Sequence, residues 1–156
     1  MEHLDKIIPQ NIKTAIKEIG ELSCMFYLYR HFSDVGWSIY RNFDEKGYDI
    51  LMLNRKENKK IKIEVKTRQR IISSSKNANR TTHFTLSQIE RQAADYLVAV
   101  WFEHHLFFIV PTTKLKETSS NGKKLFKFIV TLDKENNPDL KAQKFLGKWD
   151  QMKVVA

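Results

Sequence analysis

Hydrophobic residues near the start of the chain recur with the period of an α-helix. Pro9 suits the first turn of such a helix, because proline lacks the N–H that would have no partner there. Residues 24–29 are apolar on nearly every side, which indicates that the second half of the helix is buried. The pattern predicts a helix from Pro9 to about Phe32. The positions that share one stripe follow a three-four step: Ile12, Ile16, Ile19, Ser23 and Phe26.

Three short runs with the composition of β-strands follow the helix, over residues 37–40, 48–53 and 60–66. Turn-forming residues separate the runs, which therefore predict an antiparallel meander. Residues 67–83 are rich in Ser, Asn and Arg and show no periodicity, so we expect a long loop there. Loops of that length inside a domain are usually functional or mobile.

The second half of the chain predicts another helix and more strands. Ser87 and Glu90 have the spacing of a capping box, which favours a helix over about 86–94. Apolar runs predict the elements that follow: strands over 95–102, 106–110 and 125–131 and a short helix over 140–146. The fold class is therefore α/β: a helix, a three-stranded antiparallel meander, a helix and a strand, with an added C-terminal hairpin or strand region. We expect residues 1–156 to form a single domain.

Composition excludes several classes of protein. Hydrophobic residues make up 42% of the 156 positions, too many for a disordered chain. The single cysteine, Cys24, excludes a disulfide scaffold and a zinc site built from thiolates. No apolar run reaches the length of a membrane span, and the first residues lack the pattern of a signal peptide. We expect a cytoplasmic protein that does not enter a membrane.

The positive charge of the chain is concentrated in one stretch. The net charge is +9, and residues 54–80 contain ten basic residues against two acids, a net of +8. Such a concentration is typical of proteins that bind a polyanion, most often nucleic acid. A solvated basic surface is the alternative, and charge alone does not decide between the two.

A hairpin that joins the second and third predicted strands would have one continuous apolar face. We assume a register in which Leu53 pairs with Lys60. The apolar residues of both strands then fall opposite each other: Met52 opposite Ile61, Ile50 opposite Ile63, and Tyr48 opposite Val65.

The other face of that hairpin would bring two carboxylates together. Asp49 is expected opposite Glu64, with Lys62 and Lys66 two residues to either side of Glu64. Carboxylates paired in this way have Cβ atoms about 5 Å apart, where like charges destabilise the sheet unless a cation lies between them. Oxygen ligands favour Mg²⁺ or Mn²⁺ over zinc or copper. The pattern predicts a divalent metal site, and the ammonium of Lys66 could orient an attacking water or offset charge on a phosphate.

A simpler interpretation of Glu64 and Lys66 has to be weighed. An acid followed two residues later by lysine occurs four times in the chain, and three of those triplets fall in turns or in the tail. Alternating apolar and charged residues are also typical of any half-exposed strand. The conjunction favours a catalytic site: a triplet on a strand, an aspartate in register on the preceding strand, and the surrounding +8 segment.

Short motifs occur in a fixed order between about Ile12 and Pro111: Gly20-Glu21, Val35-Gly36-Trp37, Gly47-Tyr48-Asp49-Ile50, Ile63-Glu64-Val65-Lys66-Thr67 and Ala94-Asp95-Tyr96. This ordered set resembles the PD-(D/E)xK nuclease superfamily. Its restriction-endonuclease-like core has the order of elements inferred above. Within it, the chain is most similar to relatives of archaeal Holliday junction resolvases and to small homing endonucleases. The usual proline before the aspartate is absent, because Tyr48 occupies that position.

The resemblance implies roles for individual residues. Asp49 and Glu64 would bind Mg²⁺, or Mn²⁺ as a substitute, and the carbonyl of Val65 would be a further ligand. Lys66 would be the catalytic lysine, and Glu21 the acid of the first helix that assists the metal. Glu18 replaces Glu21 if the alignment is shifted by one helical turn.

Two of these residue assignments leave alternatives open. Glu21 points along an apolar part of its helix, so it is either a buried acid with a metal or an opposing lysine as its partner or an exposed acid near a helix end. Gln88 resembles in position a polar residue that lines the site in some relatives, although a capping role is the simpler explanation. The residues expected to contact nucleic acid are Lys56, Lys59, Lys60, Arg68, Arg70, Lys76, Arg80 and Gln88.

The sequence therefore predicts a metal-dependent endonuclease that hydrolyses phosphodiester bonds in DNA, of resolvase, homing or restriction type. A domain of this size usually acts on two strands as a homodimer or higher homo-oligomer. A non-catalytic nucleic-acid-binding module that retains the nuclease fold is the alternative. A basic structural or protein-interaction domain is a third interpretation, which predicts no salt-sensitive affinity for nucleic acid.

Overall fold

The first half of the chain folds into one long helix and three strands. The computed structural model describes residues 8–43, 46–68 and 80–153. The elements in this half are α1 (Gln10–Phe32), β1 (Trp37–Arg41), β2 (Ile50–Asn54) and β3 (Lys59–Arg68). The predicted helix and meander are confirmed, and β3 is longer than expected at both ends.

The second half adds five strands and two short helices. None of the helices in the described ranges is long and apolar enough to cross a membrane. In chain order the elements are β4 (Arg80–Ser87), α2 (Gln88–Ala93), β5 (Tyr96–Trp101), β6 (Leu106–Pro111), β7 (Lys116–Ser120), β8 (Lys123–Leu132) and α3 (Leu140–Gln143).

The strands form two sheets. The larger sheet has five strands in the order β1-β2-β3-β5-β6, and the smaller has three in the order β4-β8-β7. Neighbouring strands are antiparallel except β3 and β5, which are parallel. A parallel pair needs a crossover connection, and here β4 and α2 lie within that connection.

The register between β2 and β3 matches the predicted hairpin. Leu53 pairs with Lys60, Met52 with Ile61, and Ile50 with Ile63. The four apolar residues of the last two pairs are fully or almost fully buried. Burial of one face explains why this register is chosen, because a shift by one residue would turn every apolar side chain to the opposite face.

The larger sheet is covered on both faces, which explains why β5 is apolar throughout. Alternate residues of a strand point to opposite faces. Val98 and Val100 belong to a core that also contains Leu28 of α1. Leu97 and Trp101 belong to a second core, built against the smaller sheet. Glu64 therefore lies on a central strand of a covered sheet, and Asp49 lies immediately before the strand that pairs with it.

The prediction of a loop over residues 67–83 is wrong at both ends. Residues 69–79 lie outside the described part of the chain, but β3 continues through Arg68 and β4 begins at Arg80. Thr82, Phe84 and Leu86 are buried at alternate positions of β4, which pairs with β8. The alternation was not recognised because one of the buried residues is a threonine and the partner strand lies some forty residues further along the chain.

The face of α1 that packs on the sheet also differs from the stripe read from the sequence. The buried residues of α1 are Gly20, Glu21, Cys24, Leu28 and Phe32. Of the expected stripe, Ile12, Ile19 and Phe26 are exposed and Ile16 is half-buried, because the structure turns a different side of the helix to the sheet.

Candidate metal centre

Asp49 lies immediately before β2, at the point where the ladder between β2 and β3 ends. Its N–H donates to the Ile63 carbonyl at 2.8 Å, and its Oδ2 accepts a hydrogen bond from the Val65 N–H at 2.8 Å. The regular pairing stops at Ile50 and Ile63, so Asp49 is not a paired strand residue as the register predicted. Its carboxylate takes the place of a ladder carbonyl and lies beside the Glu64–Val65 segment of β3.

The sequence predicts that Tyr48 lies opposite Val65 on the apolar face of the hairpin, and this prediction is wrong. The ammonium of Lys62 lies 5.0 Å from the centre of the Tyr48 ring, in cation–π geometry. The preceding Gly47 has φ +96°, and a Cβ there would overlap the Cβ of Ala93 in α2. This close approach draws the segment before Asp49 toward α2 and away from the core beneath α1.

Lys66 lies between two carboxylates. Its Nζ is 3.0 Å from Oε1 of Glu64 and 2.8 Å from Oε2 of Glu90 in α2. In the sequence, Glu90 is indicated only as part of a capping box. The Ser87 Oγ does accept the Glu90 N–H at 3.2 Å. The carboxylate of Glu90 binds Lys66, a contact that no local sequence signal indicates.

The electrostatics of this cluster are dominated by burial. Burial and then the negative charge of Asp49 raise the pKa of Glu64 to about 7, although Lys66 acts in the opposite direction. Burial lowers the pKa of Lys66, but its hydrogen bond with Glu90 and the attraction of both carboxylates outweigh that effect and raise the pKa overall. The one ammonium of Lys66 thus pairs with two carboxylates, so the negative charge of Glu64 is not fully neutralised.

Glu21 is buried and has a cationic partner, so the alternative of an exposed acid is wrong. Oε2 of Glu21 is 2.8 Å from Nη2 of Arg41, and Nη1 of the same guanidinium is 2.6 Å from Oε1 of Glu18. Burial and then the charge of Asp49 raise the pKa of Glu21. Arg41 was not identified from the sequence, since only the tertiary fold brings β1 beside α1.

The oxygen atoms in this region fit a hard divalent cation. Asp49 and Glu64 are close enough for their charges to interact. The N–H and C=O of a strand residue point to the same edge, so the Val65 carbonyl points toward the side on which Asp49 accepts its N–H. Within the described ranges, no group of three or more His, Cys, Asp or Glu side chains is arranged to hold a metal. The available donors are therefore two carboxylates and a carbonyl, a set that suits Mg²⁺ completed by water and phosphate oxygens.

The residues expected to contact nucleic acid are spread over the hairpin and beyond it. Lys56 lies in the turn between β2 and β3, Lys59 is 3.1 Å from Glu57, and Lys60 is exposed. That turn is at the opposite end of β2 from Asp49, about 17 Å along a five-residue strand.

The remaining predicted contacts lie nearer to Asp49 or outside the described residues. Arg68 follows Lys66 on β3 and donates from Nε to the His83 carbonyl at 3.1 Å. Gln88 is the first residue of α2 and is exposed. Arg80 is the first residue of β4. Arg70 and Lys76 fall outside the described ranges.

Comparisons with known proteins give one family and one fold. The family model described as "Protein NO VEIN, C-terminal" matches residues 20–105, more than half of the chain. Among curated proteins, none matches the sequence.

Two solved structures share the fold at low sequence identity. A bacterial homing endonuclease is 16% identical with a TM-score of 0.52, and the match covers 88% of each chain. The Holliday junction resolvase of Archaeoglobus fulgidus is 19% identical with a TM-score of 0.50, over 72% of this chain and 82% of the resolvase. These likenesses show the fold, so the α/β fold class inferred from the sequence and its resemblance to the fold of homing endonucleases and Holliday junction resolvases are confirmed.

Proposed function

The chain belongs to the NO VEIN C-terminal family, and we propose that it is a metal-dependent endonuclease that hydrolyses phosphodiester bonds in DNA. One observation carries the proposal: Asp49 is hydrogen-bonded to the strand that bears Glu64 and Lys66, in a fold shared with DNA nucleases. The short motifs around these residues occur in the order typical of the PD-(D/E)xK superfamily.

The metal would be held by Asp49, Glu64 and the Val65 carbonyl, with Mn²⁺ able to replace Mg²⁺. A bound Mg²⁺ would polarise the phosphate and lower the pKa of a water. The raised pKa of Glu64 supports this assignment, because a cation next to Asp49 and Glu64 would offset the repulsion between their charges. Glu21 would join the site only after Arg41 shifts, since the guanidinium now holds its carboxylate.

Lys66 would orient the attacking water and offset charge on the phosphate. Its ammonium is held by Glu64 and Glu90, which limits the positions that it can adopt. A charged donor that is already positioned needs little reorganisation during the reaction, which is the basis of electrostatic catalysis. Glu90 therefore acts as a positioning residue for Lys66.

The substrate would be gripped by the basic residues that precede and follow the site. Arg68 lies two residues after Lys66 and is the nearest of them along β3. The other proposed contacts are Lys56, Lys59, Lys60, Arg70, Lys76, Arg80 and Gln88. We also propose a homodimer or larger homo-oligomer, because cleavage of both strands or of a junction requires two sites.

The test is a cleavage panel on duplex, junction, flap and single-stranded DNA in the presence of Mg²⁺. Asp49→Asn and Glu64→Gln are expected to reduce cleavage by roughly 10³-fold, as is typical when a central catalytic group is removed. Both should leave salt-sensitive DNA binding nearly unchanged. Asp34→Asn, an exposed residue distant in sequence from the site, is the control for the loss of one negative charge.

A non-catalytic binding module remains the second candidate, and the ion pairs within the site favour it. Arg41 and Lys66 already pair with the acidic residues, which could stabilise the fold without a metal. Calorimetric titration with Mn²⁺ separates the two candidates. An endonuclease should show a Mn²⁺ site that disappears in Asp49→Asn. The proposal would be overturned if Asp49→Asn gave the same heat of Mn²⁺ binding as the wild type and also cleaved DNA at an undiminished rate.

A further inference from the structure

A second basic concavity lies apart from Asp49 and Glu64, where the smaller sheet meets α3. Its volume is about 570 Å³. Six of its lining residues are charged, and five of these are lysines: Lys114, Lys116, Lys127, Lys141 and Lys144, with Asp139. We refer to these five lysines and the space between them as the lysine pocket.

The protein neutralises only part of the positive charge of the lysine pocket, because five lysines are opposed by one carboxylate, that of Asp139. Lys116 and Lys127 are directly opposite each other in the ladder between β7 and β8, an arrangement that destabilises a sheet. In the described part of the chain, none of the five lysines forms an ion pair. Both oxygens of the Asp139 carboxylate accept backbone hydrogen bonds, one from the Thr131 N–H at 2.9 Å and one from the Ala142 N–H at 3.3 Å.

A backbone donor points into the same space. The ladder between β7 and β8 ends at Lys127, and beyond it the Thr131 N–H is bonded to Asp139. Alternate residues of a strand direct their N–H groups to the same edge, so the Ile129 N–H lies between these two on that edge. Among the residues that the structure describes, it has no hydrogen-bond partner on that side. An unpaired N–H among lysines is suited to an anion.

Two aromatic rings provide an apolar wall beside the lysines. Phe128 and Phe145 both line the pocket, and their ring centres are 5.7 Å apart in an edge-to-face arrangement. Charged groups beside an apolar surface suit a ligand that carries phosphates on an apolar framework, such as the sugar-phosphate chain of a nucleic acid.

The lysine pocket lies within reach of the candidate metal centre. Lys127 pairs with Thr85, which is two residues before Ser87, the N-cap of the helix that carries Glu90. The path from Lys127 through β4 to Glu90 is about 20 Å at most, from the spacing of strands and helices. One turn of duplex DNA is longer, about 34 Å. A single duplex could therefore contact both places.

We propose that the lysine pocket binds backbone phosphates of the nucleic-acid substrate at a second position outside the metal centre. This inference rests on the proposed function and adds to it a place where the substrate is anchored. The opposed lysines and the free N–H of Ile129 suit an anion. The phosphodiester chain carries one anionic phosphate at each nucleotide.

The experiment compares two double variants of the full chain that lose the same charge. Lys116→Gln/Lys127→Gln removes the opposed pair, and Lys13→Gln/Lys123→Gln removes two exposed lysines elsewhere. Affinity for a fluorescent 30-base-pair duplex is measured without divalent metal over a range of salt. The pocket variant is expected to bind about tenfold more weakly, with a salt slope smaller by about 1 to 2, and the control to change less than twofold.

Two further measurements keep the outcome specific. The melting temperature of the pocket variant should not fall, because the substitution removes a like-charge pair. Amide exchange at Ile129 should slow when DNA binds to the wild type.

The possible failures are distinguishable. If the pocket and control variants bound the duplex with equal affinity, the proposal that the lysine pocket binds phosphates would be overturned, whatever the cleavage result. A wild-type chain that binds DNA but does not cleave it would overturn the proposed endonuclease and leave the pocket to be decided by the binding comparison. Equally tight, pocket-dependent binding of a poly-glutamate peptide would overturn the assignment of a nucleic-acid ligand.

Discussion

Glu64 is a buried acid beside a second carboxylate, and it shares its lysine with Glu90. Burial and the charge of Asp49 raise its pKa to about 7. At neutral pH much of the population therefore holds Glu64 charged at a cost to stability. A bound cation or a proton on Glu64 would relieve this cost. The pH dependence of stability and the effect of Mg²⁺ on the melting temperature therefore distinguish Glu64 from an ordinary surface acid.

Stability should fall as the pH rises through the range in which Glu64 loses its proton. The unfolded chain has the ordinary pKa near 4.5 and the folded chain about 7, so the folded state binds more protons between these values. The free energy of unfolding should decrease by up to about 3 kcal/mol from pH 4.5 to 7.5. Glu64→Gln should flatten this dependence, as measured by urea unfolding at several pH values.

The matched control for that measurement is Glu117→Gln, an exposed acid on β7. It should leave the pH dependence unchanged. Addition of Mg²⁺ at pH 7.5 should raise the melting temperature of the wild type and not that of Glu64→Gln, because a ligand stabilises only the state that binds it. An identical pH dependence in the wild type and Glu64→Gln would contradict the assignment of the raised pKa.

At the scale of elements, the position of α1 over β3 decides where Glu21 lies. A Cβ at Gly20 would overlap Oγ1 of Thr67 and lie 3.0 Å from its Cβ. Glycine at this position lets the helix approach the end of β3 closely. Glu21 follows directly and is buried beside Arg41 of β1. The packing of one helix on one strand thus determines the position of Glu21, the third acid of the proposed site.

Gly20→Ala should destabilise the protein by about 1 to 3 kcal/mol, the usual cost of overpacking. Helix propensity alone would favour alanine by about 1 kcal/mol, so a net loss reports the overlap with Thr67. In a Thr67→Ala background the same substitution should cost less, because Oγ1 and Cγ2 are gone and only the Cβ at 3.0 Å remains close. Urea unfolding of the four variants in a double-mutant cycle measures the difference, and equal effects of Gly20→Ala in both backgrounds would show that the approach is not tight.

At the scale of the whole molecule, α1 turns its second apolar side to the solvent. Ile19, Leu22 and Phe26 are 46%, 49% and 57% exposed. Together with Ile12, Ala15 and Tyr29 they repeat with three-four spacing over three heptads, the pattern by which one helix packs on another. The proposed homo-oligomer provides a partner, because a twofold axis would place α1 against the same face of a second copy.

The chain is expected to be a dimer at micromolar concentration. Leu22→Lys should raise the dissociation constant of the dimer by at least about tenfold. A buried unpaired charge at the centre of such a helix pair explains the loss. Leu140→Lys, at an exposed leucine of α3, is the matched control and should leave the association unchanged. Sedimentation equilibrium of the three proteins checks this, and a monomeric wild type would contradict it.

The amino-acid sequence by itself determined the local features of this protein. The period of α1 and the alternation in β2 and β3 predicted the helix and the hairpin with its register, and that register brought Asp49 toward Glu64. Such features depend on residues close in sequence, so the choice of one face for burial is enough to specify them.

Only the tertiary structure decided which side chains surround those two carboxylates and which side of α1 is buried. Arg41 reaches Glu21 from β1, Glu90 reaches Lys66 from α2, and β4 pairs with β8 across a long stretch of chain. These contacts join segments far apart in sequence, and no local period or cap specifies them. Their energies depend on burial, which exists only after the two cores have packed.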